Sequence, residues 1–129
     1  VRLVAAVGAD TQAADALVLL RSGGVELDAV REVDAPTGIA LIEVDDAGET
    51  TIVVVPGANA ALQVDGSDVA GAGAVLTVLE VPDTAVLAAA EHATGLFALN
   101  AAPARPYPVT LVSIGPLTNI ARLLAAHLR

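Results

Sequence analysis

The sequence predicts a three-layer α/β domain that combines a partly parallel sheet with a protruding β-hairpin. Three observations support this class. Short apolar runs typical of strands alternate with segments whose apolar residues follow helical spacing. Two strand-like runs are separated by only five polar or small residues, which predicts a hairpin. Finally, 55% of the 129 residues are hydrophobic but only 2% are aromatic, so small aliphatic side chains must build the core, and these favour close-packed layers.

The N-terminal third predicts a strand, a helix and a short extended piece. Residues 2–7 form the strand candidate. Asp10 or Thr11 can cap the following helix, and a Ser-Gly-Gly sequence at residues 22–24 ends it. The extended piece covers residues 29–33. A chain of this length is one domain that can bury a core without disulfides.

Residues 37–44 and 50–55 are predicted to pair as the hairpin. Their connection is acidic, and Gly48 is placed for the positive φ that such a turn needs. Both strands are apolar on both faces, so one face would be exposed if no second layer covered it. Self-association into a homodimer through the hairpin sheet is therefore expected.

After a loop at residues 57–61 and at most a helical turn at residues 65–69, the pattern changes. Residues 74–79 are continuously apolar, as expected for a strand covered on both faces in a parallel sheet. Pro82 opens a helix, and residues 96–99 form the next strand. The residues expected on the buried face of that helix are Val86, Leu87, Ala90 and Ala93. The alternation of strands and helices predicts a Rossmann-like arrangement.

A seam rich in Ala and Pro, residues 101–108, divides the chain into residues 1–108 and 109–129, which are expected to pack as one domain. The second part holds an apolar run at residues 109–114 and a helix that Pro116 opens. A parallel crossover usually needs a dozen or more residues. The run is therefore either not a parallel neighbour of the preceding strand or irregular.

Composition excludes several classes of function. The net charge of -9 and pI near 4.3 argue against nucleic acid as a partner, because phosphate binding needs clustered basic residues. Without cysteine there is no disulfide, thiolate catalysis or thiolate zinc site, which agrees with a cytoplasmic location. Without lysine there is no P-loop lysine, Schiff base or lysine general base. No apolar run approaches the roughly 20 residues of a membrane span.

Six short phrases occur along residues 1–108. They are Val7-Gly8-Ala9-Asp10, residues 37–42 (Thr-Gly-Ile-Ala-Leu-Ile), Gly48-Glu49, residues 57–62 (Gly-Ala-Asn-Ala-Ala-Leu), residues 79–82 (Leu-Glu-Val-Pro) and Leu99-Asn100 with residues 102–104 (Ala-Pro-Ala). Their order and spacing resemble those of ribokinase-type carbohydrate kinases. The resemblance implies that the hairpin is a lid over the sugar, with apolar contacts from Ala40, Ile42 and Val54. It also implies dimerisation through the lid sheet.

Glu80 has two interpretations. The resemblance places it by the sugar hydroxyls, and it ends a buried strand where α/β folds form ligand crevices. The other interpretation, a solvated carboxylate before the Pro82 helix, is favoured because half of the sugar pocket is absent. Asn59 and Asn100 are typical turn residues. The two histidines, at positions 92 and 127, are expected at the surface without a metal or base role.

The groups that catalyse phosphoryl transfer in such kinases do not occur in this sequence. The sugar-binding Asp and the Gly-Gly-Lys-Gly-Ala-Asn-type segment are absent, as is the Gly-Ala-Gly-Asp that supplies the general base and the anion hole. Positioning and electrostatic stabilisation supply nearly all the rate of this reaction. No residue is therefore predicted to be catalytic and no cofactor is expected. ATP with Mg²⁺, or Ca²⁺, would bind only if missing segments or a partner chain completed the site.

Residues 109–119 (Val-Thr-Leu-Val-Ser-Ile-Gly-Pro-Leu-Thr-Asn) resemble inosine-uridine nucleoside hydrolases. In that family this segment gives a backbone carbonyl to Ca²⁺, which implies the carbonyl of Ile114. Calcium needs about six to eight oxygen ligands, and the family's aspartate cluster is absent, so one carbonyl does not make a site.

The leading hypothesis is an incomplete ribokinase-like segment fused to a nucleoside-hydrolase-like segment. It would bind ribose or a nucleoside weakly and lack autonomous catalysis. One alternative is an active sugar kinase or nucleoside hydrolase completed by missing segments or a partner chain. Another is a structural or engineered chimera that binds no ligand.

Overall fold

The computed structural model describes residues 1–100 and begins with a parallel strand–helix–strand unit. Strands β1 (Arg2–Gly8) and β2 (Glu26–Val33) pair in parallel, and helix α1 (Thr11–Ser22) connects them. Asp10 caps α1, because its carboxylate accepts a hydrogen bond from the Ala13 amide at 2.9 Å. Strand β2 is longer than the extended piece expected from the sequence.

The predicted hairpin is present as strands β3 (Ile39–Val44) and β4 (Thr50–Val55), which pair antiparallel. At its tip the Asp45 carboxylate accepts hydrogen bonds from two amides of the turn, both at 2.9 Å. Gly48 has a φ of 83°, as the turn requires. Every residue of both strands is exposed.

The segment after the hairpin is helical where a loop was expected. Gly57–Ala61 forms a 3₁₀ helix, and Ala58 within it is 0% exposed. This helix packs against β1, so burial of Ala58 stabilises a turn that its composition alone does not favour. Helix α2 (Gly66–Val69) follows as the expected short turn, with Asp65 and Asp68 forming a capping box.

A second parallel unit consists of β5 (Ala74–Val78), helix α3 (Asp83–His92) and β6 (Leu96–Asn100). The predicted face of α3 was wrong in part. Leu87 is exposed, and the buried residues of α3 are Ala85, Val86 and Ala89. Two of these three are alanines, which let the helix approach its neighbours closely, whereas a leucine at the contact would hold it further away.

The prediction that β5 is covered on both faces is wrong within the described residues. Leu76, in the middle of the strand, is 75% exposed, whereas its neighbours Val75 and Thr77 are partly buried. Successive side chains of a strand point to opposite faces, and on the face that carries Leu76 the described part of the chain covers only Val78 in part.

The hydrophobic core is small and consists mainly of alanine. Its buried cluster is Ala6, Ala58, Leu62 and Ala85, with Val4, Val33, Val64 and Val81 packed against it. Leu62 is the one large side chain in the buried cluster. The cluster joins β1, the 3₁₀ helix and α3, and confirms the expected core of small aliphatic residues. The mixed α/β class with partly parallel pairing is also confirmed.

Several predictions fall outside the described residues. They concern the seam at residues 101–108, the strand at residues 109–114, the helix after Pro116, the Ile114 carbonyl and His127. Within residues 1–100 no helix is long and apolar enough to cross a membrane.

Candidate functional site

The three hairpin residues singled out from the sequence lie on one face. Ala40 pairs with Val54 across the hairpin, and Ile42 pairs with Ile52. Directly opposed residues share a face of a sheet, as do residues two apart along a strand. Ala40, Ile42 and Val54 are therefore neighbours, and Ile52 completes their surface. We call these four residues the lid face.

The lid face is apolar and open to solvent. Its three large side chains are each more than half exposed, and none of the four side chains carries a polar atom. Such a surface can exclude water from a ligand and pack on its apolar edges, but it cannot recognise hydroxyl groups. The sequence motif did not indicate Ile52. The cross-strand register could have, once the length of the turn was fixed.

Glu80 lies two residues beyond the end of β5. The last residue of that strand, Val78, pairs with Asn100 at the end of β6, so Glu80 and Asn100 occupy the same carboxyl edge of the β5–β6 pair. Ligand crevices of α/β folds form at such edges. Glu80 is exposed, and the strand that it follows belongs to a different sheet from the lid face.

The base of the hairpin is joined to β1 and α1 by a compact hydrogen-bond network. Asp10 Oδ2 accepts from the Thr37 amide at 2.7 Å, and Asp10 Oδ1 accepts from the Thr37 hydroxyl at 2.6 Å. The same hydroxyl accepts from the Gly8 amide at 2.9 Å. These contacts explain why β3 begins at Ile39 rather than at residue 37, because Thr37 bonds to Asp10 instead of to β4.

The network shifts the acidity of Asp10. The hydroxyl of Thr37 lowers the pKa of the Asp10 carboxyl below its ordinary value, and the amides of Thr37 and Ala13 act in the same direction. From the sequence, the structural role expected for Asp10 was that of one of two candidate helix caps. Its second role joins residues 27 positions apart, and no local sequence pattern indicates that contact.

Two short segments lead into and out of the hairpin, and we call residues 35–38 the first stem and residues 56–58 the second stem. The stems pass each other so closely that there is no room for a side chain at Gly38 or Gly57. Gly57 has a φ of 50°, and a Cβ at this position would collide with the Pro36 carbonyl oxygen and lie 2.9 Å from the Gly38 nitrogen. A Cβ on Gly38 would lie 2.5 Å from the Pro56 carbonyl oxygen. The stems are also joined by a hydrogen bond from the Ala58 amide to the Pro36 carbonyl at 2.7 Å.

A separate cluster of charged side chains holds β2 to the α2 segment. Arg31 donates to both carboxylate oxygens of Asp68, at 2.8 and 2.9 Å, and to the Gln63 carbonyl at 3.0 Å. Asp65 lies 3.6 Å from the same guanidinium. The bonds from Ser67 to Asp65 hold the pKa of that carboxyl below its ordinary value.

The described residues do not provide a metal centre. No group of three His, Asp or Glu side chains in residues 1–100 could hold an ion together. The carboxylates of the α2 cluster are engaged with Arg31 and with backbone amides. Residues 1–100 therefore contain no site in which protein side chains alone would hold Ca²⁺.

The comparison with protein families and the comparison with solved structures agree with each other. Residues 1–125 match the model of the pfkB family of carbohydrate kinases. Among solved structures, the chain is 29% identical to ribokinase from Thermotoga maritima, with a TM-score of 0.75 over 83% of this chain and 36% of that one. It is 30% identical to ribokinase from Giardia lamblia, with a TM-score of 0.70 over 81% and 38%. For Arabidopsis thaliana ribokinase, solved with ribose and ATP, the identity is 28% and the TM-score 0.64, over 76% and 35%.

Two facts qualify these matches. The chain spans little more than a third of each of these three ribokinases. The family match also crosses the expected boundary at residue 108 and continues to residue 125. It thus includes most of the segment that resembles nucleoside hydrolases, and the comparisons give no support for a separate nucleoside hydrolase segment.

Proposed function

The chain belongs to the pfkB family of carbohydrate kinases, and we propose that it is the lid-bearing segment of a ribokinase-like sugar kinase. In this proposal the hairpin covers a ribose-type sugar, and the 129-residue chain alone binds that sugar weakly without transferring phosphate. The observation that carries the proposal is the lid face, an exposed apolar surface on the hairpin of a chain whose structural neighbours include ribokinases.

Each part of the site has a distinct task. The lid face packs over the carbon atoms of the sugar and removes water from the reacting hydroxyl, as closing lids do in kinases. Glu80 accepts hydrogen bonds from sugar hydroxyls, which a carboxylate does well because it carries acceptors only. One carboxylate and one apolar wall give an affinity in the millimolar range, on the order of 4 kcal/mol.

Catalysis would require groups that residues 1–100 do not supply. The Gly-Ala-Gly-Asp sequence that provides base and anion hole in such kinases does not occur in the 129 residues. In the proposal, ATP and Mg²⁺ act only where further polypeptide completes the site, and the completed assembly is the second candidate, an active kinase. A chimera that binds no ligand is the opposite outcome of the test below.

A nucleoside is a second ligand to test, and it rests only on the sequence motif of residues 109–129. Their resemblance to inosine-uridine nucleoside hydrolases is the observation that makes a nucleoside, rather than free ribose, worth testing. In that variant of the proposal the Ile114 carbonyl contributes a single Ca²⁺ ligand and the other ligands come from elsewhere.

The proposed partner is a second copy of the chain. The face of the hairpin opposite the lid face carries Ile39, Leu41, Val53 and Val55, all exposed. Two hairpins that meet through this surface would bury it and leave both lid faces free. We also propose a cytoplasmic location, in agreement with the absence of cysteine from the sequence.

Calorimetry tests the sugar proposal directly. Ribose, adenosine and inosine are titrated at millimolar concentration into the wild-type chain, Glu80→Gln and Glu91→Gln, the last being an exposed carboxylate on α3. Ribose is expected to bind with a millimolar Kd, which Glu80→Gln weakens by about tenfold and Glu91→Gln leaves unchanged. Absence of heat with all three ligands would overturn sugar binding. ATP-dependent phosphorylation of ribose by the chain alone would overturn the non-catalytic part.

A further inference from the structure

The hairpin is attached to the rest of the described chain mainly at its base. All residues of β3 and β4 are exposed, so the hairpin buries little of its own surface against the remainder of the fold. Just before β3, Thr37 is partly buried and bonded to residues of β1 and to the cap of α1. The position of the hairpin therefore depends on a small number of polar contacts.

Asp10 has more hydrogen bonds than its capping role needs. A helix cap requires one side-chain acceptor, and the bond from the Ala13 amide fulfils it. The second carboxylate oxygen is used by the Thr37 amide alone, and the first also accepts from the Thr37 hydroxyl. The Thr37 hydroxyl in turn accepts from the Gly8 amide. The Thr37 side chain, at the start of the hairpin, is therefore bonded both to the end of β1 and to Asp10, the cap of α1.

The first stem also lies directly against the end of β1. A Cβ on Gly8 would collide with the Ala35 carbonyl oxygen and would lie 2.8 Å from the Thr37 nitrogen. The absence of a side chain at Gly8 is thus what allows the stem to come close enough for its bonds to Asp10.

We propose that Asp10 and Thr37 form a latch that fixes the first stem of the hairpin and so sets where the lid face stands. Asp10 is then a positioning residue, which acts on the sugar through the hairpin and does not contact it. Lids of kinases open and close about a few residues at their ends. With the first stem latched, the movement is confined to the hairpin beyond Gly38. This inference rests on the proposed function only in that the hairpin is a lid.

Amide hydrogen exchange on the unaltered chain is the first test. A closed latch protects the amides of Gly8 and Thr37 as strongly as the central amides of β1, because both donate to side-chain oxygens in the network. If these two amides exchanged as fast as Asp46 at the hairpin tip, the latch would not exist in solution. This measurement needs no variant and no sugar.

The second test measures the orientation of the hairpin. The chain has no cysteine, so Ala16→Cys on α1 and Ala47→Cys at the tip can be spin-labelled selectively, and both sites are exposed. Pulsed electron spin resonance then gives the distribution of distances between the labels. Thr37→Val removes the hydroxyl at nearly constant shape, whereas Thr37→Ser retains it.

If the latch exists, the distance distribution should be broader in Thr37→Val and unchanged in Thr37→Ser. The Gly8 amide should exchange about tenfold faster in Thr37→Val and at an unchanged rate in Thr37→Ser. A purely stabilising role of Thr37 would lower the Tm of the valine variant and leave the distance distribution of the folded chain unchanged. An unchanged distance distribution in Thr37→Val would therefore overturn the proposal. Neither readout involves ribose, so failure of the latch is distinguishable from failure of sugar binding.

Discussion

Replacement of Arg31 by methionine measures how much the ion pair between Arg31 and the buried carboxylate of Asp68 contributes to the stability of the fold. Asp68 has a side chain only 4% exposed, and Arg31, which is 38% exposed, meets it with two hydrogen bonds. Arg31→Met keeps the aliphatic stem and leaves Asp68 with the Asp65 amide at 2.8 Å as its remaining bond. Breaking a fully buried pair costs about 3–5 kcal/mol. Because solvent reaches Arg31, we expect a loss of about 2–3 kcal/mol.

Arg2 provides a matched control in the neighbouring strand. Its guanidinium lies 3.5 Å from Glu26 and 3.6 Å from Asp28, and both partners are exposed. Exposed ion pairs contribute roughly 0–1 kcal/mol, so Arg2→Met should change stability little. The two variants remove the same charge from the same pair of strands and differ in the burial of the carboxylate that is left behind.

Urea denaturation followed by circular dichroism measures both losses. With a slope of about 1–2 kcal/mol per molar urea, Arg31→Met should lower the midpoint by roughly 1–3 M and Arg2→Met by less than about 1 M. The double variant Arg31→Met with Asp68→Asn should recover part of the loss, because it removes the unpaired charge. Equal shifts for the two arginine variants would refute the role assigned to the burial of Asp68.

Three further outcomes are expected. Asp10 has a lowered pKa in the folded state, so its stabilising effect is fully present above the ordinary pKa of an aspartate and is lost as the pH falls through the folded pKa. The stability difference between wild type and Asp10→Asn, from urea midpoints, should therefore shrink as the pH is lowered below about 4. Gly57→Ala should lower stability more than the roughly 1 kcal/mol expected of Gly48→Ala, because both glycines have positive φ but only Gly57 lacks space, again by urea midpoint. Light scattering should give a dimer mass for wild type and for Leu87→Asp, and a monomer mass for Leu41→Asp; a monomer mass for wild type at all concentrations would exclude the hairpin dimer.

Local chemistry made much of the fold predictable. The Asp10 cap, the positive φ of Gly48 and the helix opened by Pro82 each follow from one residue's backbone or hydrogen-bonding preference, and the structure contains all three. The hairpin followed from two apolar runs and a short acidic turn. Such features need no knowledge of the rest of the chain.

Features that depend on distant residues were missed. The 3₁₀ helix at Gly57–Ala61 forms because Ala58 is buried against β1, and a sequence of small residues does not reveal that contact. The exposure of Leu76 and Leu87 likewise depends on which neighbours cover them. At the candidate site, the contact between Asp10 and Thr37 is a tertiary one, and motif spacing could not show it.

The exposed hairpin also has a colloidal consequence. Residues 51–55 read Thr-Ile-Val-Val-Val, without a charge or a proline, and in the described residues β3 and β4 pair only with each other, so each strand has a free edge. Edges of this kind act as templates for aggregation. Mutual repulsion between chains of charge -9 opposes that process, and added salt weakens the repulsion. Concentrated stocks should therefore keep best in dilute buffer and turn cloudy as ionic strength rises.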